Sequence, residues 1–193
     1  MKTVNITIQG TSPLLQHRFG EDAEGESAKA SRQVTVVRGT PREEATKVAY
    51  RDRDGGYFIP GTWIFGSLCG AGSNHKMKGS RKSARFVVPA AVRVGEIEIP
   101  LRNGDGETLI KDFEVDSRPV TIPATKGRIM RHRPRFDCWS AQFSLVINDD
   151  ILPEDFVHQL LTEAGSQQGI GDYRPERKGP FGTFRVVRWE PVV

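Results

Sequence analysis

The stretch GIGDYRPERKGPFGTFRV, residues 169–186, combines four glycines with four cationic side chains and runs into residues typical of a strand. A dinucleotide-binding fingerprint would need a glycine at position 174 and a helix afterwards, whereas Arg174 stands there and a strand is predicted to follow. A P-loop is excluded because the sequence has no GxxxxGK[ST] motif. Two interpretations remain: a loop that holds a nucleic-acid backbone, or glycines that only shape a helix-to-strand turn.

A backbone-binding loop needs glycines that let main-chain amides approach phosphates, and cations that supply charge. The stretch provides both kinds of residue. We therefore predict nucleic-acid contacts at Gly169, Gly171, Arg174, Arg177, Lys178 and Gly179.

The segments around this loop predict an α+β domain. An amphipathic helix over 152–165, ended by Gly165, precedes the loop, and alternating apolar residues predict a strand over 3–9. The other predicted elements are a short helix opened by Thr40, Pro41 and Glu43, a helix over 60–75, strand character over 86–100, and strands over 118–123 and 136–149. This order reduces to β-α-β-β-α-β, the ferredoxin-like arrangement, in a single domain over 1–193 with a long insertion at 10–59. Residues 10–39 show no sustained period and predict a long loop.

Glycines inside the predicted helix over 60–75 need an explanation. Gly66 and Gly70 lie four residues apart, and each costs about 1 kcal/mol relative to alanine in a helix interior. We expect the compensation to be a close approach of the helix to a sheet or to a ligand.

Basic residues cluster in two further places. One cluster lies at 76–85, and the other, at 126–135, interleaves arginines with Ile129, Met130 and Phe136 on a predicted hairpin. Such clusters suit a polyanion, most simply nucleic acid, although each alone is also typical of a solvated loop. The RNA-binding residues predicted here are Lys76, Lys78, Arg81, Lys126, Arg128, Arg131, His132, Arg133 and Arg135.

Composition and motifs offer little support for other chemistry. The net charge is +4, the two cysteines form no CxxC pair, and the four histidines show no HExxH spacing, so we predict no metal site, cofactor or catalytic residue. Asp22 could assist phosphodiester cleavage, although a lone loop aspartate is most often solvated. The opening residues predict a strand with no signal peptide, and no segment predicts a membrane span, so we expect a cytoplasmic protein.

Two motifs, together with the order of elements, resemble the RAMP superfamily of CRISPR-associated proteins, most closely its backbone subunits that polymerise along guide RNA. The stretch IPGTWIFGSL, residues 59–68, is similar to the I-P-G-[ST]-x-x-[KR]-G-x-[LI]-R motif that opens the first helix of that family. Residues 169–182 are similar to its glycine-rich G-x-G-x(n)-G-x-G. Phe65 stands where the family usually has a basic residue. The sequence is also similar to uncharacterised small phage and prophage proteins.

The resemblance implies a modified RRM-like palm with a thumb-like hairpin at 118–137. It also implies RNA as partner, guide and target, with copies of the chain and other effector subunits alongside. We thus expect a non-catalytic RNA-binding subunit of a CRISPR-effector-like ribonucleoprotein that self-associates along guide RNA, with single-stranded DNA as an alternative ligand. The alternatives are a metal-dependent endoribonuclease of the same fold that uses Asp22, and a phage structural or assembly protein.

Overall fold

The computed structural model describes residues 1–18, 39–121 and 127–192 as an α+β fold with two antiparallel sheets. The strands are β1 (Lys2–Gly10), β2 (Leu14–Leu15), β3 (Phe58–Pro60), β4 (Val92–Val94), β5 (Glu98–Arg102), β6 (Glu114–Thr121), β7 (Arg128–Phe136), β8 (Ser140–Ile147) and β9 (Phe184–Pro191). The α-helices are α1 (Pro41–Lys47), α2 (Gly61–Gly72), α3 (Val88–Ala91) and α4 (Glu154–Glu163). Asp22 and most of the predicted loop over 10–39 lie outside the described residues.

The larger sheet has the order β3-β5-β8-β1-β9, and β4 also pairs with β8. Its centre is the antiparallel pair β1/β8, in register from Lys2 opposite Ile147 to Gln9 opposite Ser140. β4 and β5 pair with successive parts of β8 and together act as one interrupted strand. β9 returns antiparallel along the other edge of β1, which places the chain's last strand beside its first.

The alternation of β1 decides which face of this sheet is buried. Val4, Ile6 and Ile8 are buried, and their partners on β8 are the buried Leu145, Phe143 and Ala141. α2 and α4 contribute Ile64, Leu68, Leu160 and Leu161 to the same apolar core. The predicted strands β1 and β8 and the two predicted long helices are therefore confirmed.

Two predicted boundaries are wrong. Residues 86–88 are not a strand: Ser83 caps a 3₁₀ turn at Ala84–Phe86, and Pro89 fits the first turn of α3, so extended structure begins only at Val92. Gly165 does not end the last helix, which continues as a π-helical turn over Ala164–Gln168. A side chain at Gly165 would overlap with the carbonyl oxygen of Phe184, so this glycine serves close packing instead.

The smaller sheet, in the order β2-β7-β6, is built on a long hairpin. β6 and β7 pair from Glu114 opposite Arg135 to Thr121 opposite Arg128, so the hairpin begins earlier than the predicted 118–137. α1 packs against this sheet, and its start is the predicted capping box of Thr40 and Glu43. Within the described ranges, no helix combines the length and the apolar character that a membrane crossing requires.

Candidate nucleic-acid interface

The glycine loop, residues 169–183, connects the π-helical turn to β9 and is tied to β2 and to the residue before it. The amide of Ile170 donates to the carbonyl oxygen of Gly182 at 2.9 Å, which closes the loop on itself. The amides of Asp172 and Gly182 donate to the carbonyl oxygens of Leu15 and Pro13, each at 2.8 Å. The loop is therefore an ordered part of the fold.

Its glycines mainly shape the loop. Gly169, Gly171 and Gly182 have φ angles of 68°, 79° and 70°, which side-chain-bearing residues rarely adopt. The amides of Gly169 and Gly179 donate to the carbonyl oxygens of Ala164 and Arg174, at 2.8 and 3.0 Å. In this conformation, neither amide is available to a phosphate.

The cations of the glycine loop differ in their partners. Arg174 is held by the Glu176 carboxylate and donates from Nη1 to the carbonyl oxygen of Gly171 at 2.9 Å. Arg177 and Lys178 are exposed, and neither forms an ion pair with the part of the chain that the structure describes. These two side chains are the ones positioned to take up a new anionic partner.

The cations of the hairpin also divide into those that have a partner within the fold and those without a carboxylate partner. Arg133 is buried and Arg135 lies 2.7 Å, Nε to Oδ1, from Asp137. The Nδ1 atom of His132 lies 2.7 Å from the Ser117 hydroxyl. Among the described residues, Arg128 and Arg131 have no carboxylate partner. Lys126 lies outside the described residues.

The hairpin and the glycine loop are joined by two contacts. The Nε atom of Arg133 lies 2.6 Å from Oδ2 of Asp172, and this arginine's side chain is only 7% exposed. Beside it, Arg118 binds both carboxylate oxygens of Asp116 and places its guanidinium carbon 4.8 Å from the centre of the Phe181 ring. The fold therefore brings the two basic segments predicted from the sequence into contact.

His17, a residue the sequence did not single out, lies at this junction. Burial lowers the pKa of His17, the charges of Arg131 and Arg133 lower it further, and Asp172 opposes them. Arg131 lies two positions before Arg133 on the same face of β7, which places it near the contact between hairpin and loop.

The third basic segment, with Lys76, Lys78 and Arg81, follows α2 and is fastened to the π-helical turn. Asn74 donates to the Gln167 side chain at 3.2 Å, and Nε2 of His75 lies 2.6 Å from Oε2 of Glu163. The three predicted basic residues are exposed and form no ion pair within the described ranges. They therefore lie on a loop anchored to the turn from which the glycine loop starts.

The contact between His75 and Glu163 predicts a pH-dependent stability. The hydrogen bond from His75 lowers the pKa of Glu163, and Gln159 adds a smaller effect in the same direction. Because the folded-state pKa lies below the unfolded one, the carboxylate stabilises the fold above about pH 4.5, and this contribution is lost as the pH falls through the lowered pKa.

Urea unfolding across an acidic pH series should therefore show Glu163→Gln less stable than wild type near neutrality, with the difference disappearing on acidification. Glu98→Gln, at an exposed position on β5, is the control. If the difference in unfolding free energy between wild type and Glu163→Gln stays constant down to low pH, the Glu163 carboxylate is not the source of the stabilisation.

Within the described residues, no group of three or more His, Cys, Asp and Glu side chains is arranged to hold a metal ion. Asp172, Tyr173 and Phe181 are not among the residues predicted from the sequence, although all three lie within residues 169–186. An aspartate and two aromatic residues within a basic, glycine-rich segment are the signal that could have identified them.

Comparison with solved structures finds the same fold in a subunit of a CRISPR complex. A chain of the cryo-EM structure of the Type III-B Cmr-beta bound to cognate target RNA aligns with a TM-score of 0.56 and 10% sequence identity. The alignment covers 99% of this chain and 60% of that one, so this chain spans about three fifths of the length of the solved subunit. A chain of a Type IV-B CRISPR complex aligns with a TM-score of 0.47 and 10% identity, over 99% and 90% of the two chains. No family model and no curated protein matches the sequence.

Proposed function

We propose that this chain is a non-catalytic RNA-binding subunit of a cytoplasmic CRISPR-effector-like ribonucleoprotein. The observation that carries the proposal is the contact between the hairpin and the glycine loop. Close to it along the chain, Arg131, Arg177 and Lys178 have no carboxylate partner among the described residues, and the end of the hairpin adds the exposed Arg128. Cations without partners on an ordered surface are suited to phosphates, since no existing ion pair has to break.

The fold supports the same proposal. The order β9-β1-β8, continued by β4 and β5, with α2 and α4 as the two crossover helices, fits a ferredoxin-like, modified RRM palm. The hairpin of β6 and β7 is then the thumb. The solved chain with the same fold belongs to a complex bound to target RNA, which favours RNA over an acidic protein as the partner.

The outer face of the larger sheet is not the surface we propose. An RRM stacks bases on aromatic residues of its sheet. Here, none of the outward positions of the central strands β1 and β8 is aromatic; they are Thr3, Asn5, Thr7, Gln9, Gln142, Ser144 and Val146. Recognition through the sheet would lack stacking partners, so the glycine-loop side is favoured.

The two interior glycines of α2, Gly66 and Gly70, differ in their surroundings. Gly70 is approached by the Gln168 side chain, at 2.7 Å from an added Cβ, whereas a Cβ on Gly66 would meet no atom within 4 Å. The sequence led us to expect that each helix glycine allows a close approach by another part of the fold or by a ligand. Packing against Gln168 accounts for Gly70. Gly66 is exposed and faces open space, which leaves room for a ligand to approach this turn of α2.

Salt-dependent binding to a labelled single-stranded RNA tests the proposal. Each lost phosphate contact on a single strand should lower the slope of log K against log salt by about 0.7. We expect Arg177→Gln/Lys178→Gln and Arg128→Gln/Arg131→Gln each to lower the slope by about 1.4 and to weaken binding across RNA sequences.

The matched control is Arg93→Gln/Arg188→Gln, which removes two exposed cations from strands β4 and β9 of the larger sheet and should leave the slope unchanged. Comparing the affinity for single-stranded DNA of the same sequence with that for the RNA measures the preference for RNA. Absence of wild-type binding to either strand at low salt would overturn the proposal.

Self-association along the RNA is the second part of the proposal, and size-exclusion chromatography tests it. We expect multimers whose size grows with the length of added RNA. Multimers that form equally without RNA would favour the structural or assembly protein instead.

A further inference from the structure

Backbone strain among the described residues is concentrated in the glycine loop. The residues other than glycine with a positive φ in those ranges are Tyr173, at 52°, and Lys178, at 61°. A bulky aromatic residue in the left-handed region is an outlier, and such strain persists only where the surrounding structure holds it in place. The strain at Tyr173 therefore needs an explanation.

The loop is built to hold Tyr173 in this conformation. Its amide donates to Oδ1 of Asp172 at 3.0 Å, and its carbonyl oxygen accepts from the amide of Phe181 at 3.3 Å. A side chain at Gly179 would overlap with the same carbonyl oxygen, so glycine is required opposite it. Asp172 is in turn held by Arg133.

The result of this construction is a partly exposed aromatic ring. The Tyr173 ring centre lies 6.0 Å from that of Phe181, with the ring planes tilted by 36°, and Tyr173 is 39% exposed. Phe181 is buried and carries the Arg118 guanidinium near its ring. Tyr173 is thus supported from within and open to solvent, next in sequence to the cations at 174, 177 and 178.

We propose that Tyr173 stacks on an unpaired nucleobase of single-stranded RNA. An exposed ring supported by a second aromatic residue is a stacking platform, and every base has a π-face that such a platform can accept. The neighbouring Arg177 and Lys178 are placed to hold the adjacent phosphates, which would fix the base over the ring. This inference rests on the proposed function and names the site at which the bases, rather than the backbone, are contacted.

Three variants separate stacking from folding. Tyr173→Phe keeps the ring, Tyr173→Leu keeps an apolar side chain without a π-face, and Tyr173→Asn introduces a residue that tolerates the left-handed region. We expect roughly tenfold weaker RNA binding for Tyr173→Leu and Tyr173→Asn, and near wild-type binding for Tyr173→Phe. The slope of log K against log salt should be unchanged in all three variants, since no phosphate contact is lost. The melting temperature of Tyr173→Asn should equal or exceed that of wild type.

RNA carrying a single 2-aminopurine at successive positions gives a direct readout. Stacking on Tyr173 should quench the fluorescence of 2-aminopurine at particular positions of the RNA with wild type and Tyr173→Phe. This quenching should be absent with Tyr173→Leu and Tyr173→Asn. Folded Leu and Asn variants that bind RNA and quench like wild type would overturn the inference while leaving the proposed function intact. A wild-type protein that binds no RNA would instead remove the proposed function.

Discussion

Replacing Gly182 with alanine is expected to destabilise the whole protein by about 3 kcal/mol and to abolish RNA binding. Gly182 has a φ of 70°, and an added Cβ would overlap with the carbonyl oxygen of Ile170. The backbone cannot move away, because the amide of Gly182 donates to Pro13 and its carbonyl oxygen accepts from Ile170. Two residues later, β9 begins and is paired with β1.

The matched control is Gly66→Ala, the same substitution in the interior of α2. Its Cβ would meet nothing within 4 Å, so we expect this variant to be more stable than wild type by up to about 1 kcal/mol. Urea unfolding of both variants measures the contrast. Equal stabilities for Gly182→Ala and wild type would show that the loop relaxes independently of the fold.

Much of the core could be predicted from the sequence because it is encoded locally. The alternation of Val4, Ile6 and Ile8 identified β1 and its buried face, and the capping box at Thr40 located the start of α1. One error arose where the capping residue Ser83 and the helix-compatible Pro89 outweighed the strand propensity of the residues between them. Phe86, Val87 and Val88 have strand propensity, but Phe86 is 73% exposed on a 3₁₀ turn.

At the candidate site, the sequence alone could not predict the pairing of the charges. The sequence located the basic segments, but it could not show which arginines are already paired. Asp172 lies 39 residues beyond Arg133 along the chain, and only the fold brings the two together. Arg174 has its partner two residues away, at Glu176, and that pair could have been anticipated.

Breaking the ion pair between Arg133 and Asp172 is expected to have the second largest effect. Removing one partner of a buried pair typically costs 3–5 kcal/mol because the other charge is left uncompensated. Asp172 is 32% exposed, so we expect a smaller loss of about 2 kcal/mol for Asp172→Asn, and a similar loss for Arg133→Met. The double variant should be less destabilised than the sum of the two, because the second substitution removes the charge that the first one stranded.

The salt dependence of RNA binding then decides what Arg133 does. The sequence predicted a phosphate contact, and such a contact requires the slope for Arg133→Met to fall by about 0.7. The burial of Arg133 and its pairing with Asp172 lead us to expect the opposite: weaker binding at every salt concentration with an unchanged slope. Arg131→Met, two positions away on the same face of β7 and without a carboxylate partner among the described residues, is the matched control that should lower the slope. If the two variants lower the slope equally, Arg133 leaves Asp172 on binding and contacts the RNA directly.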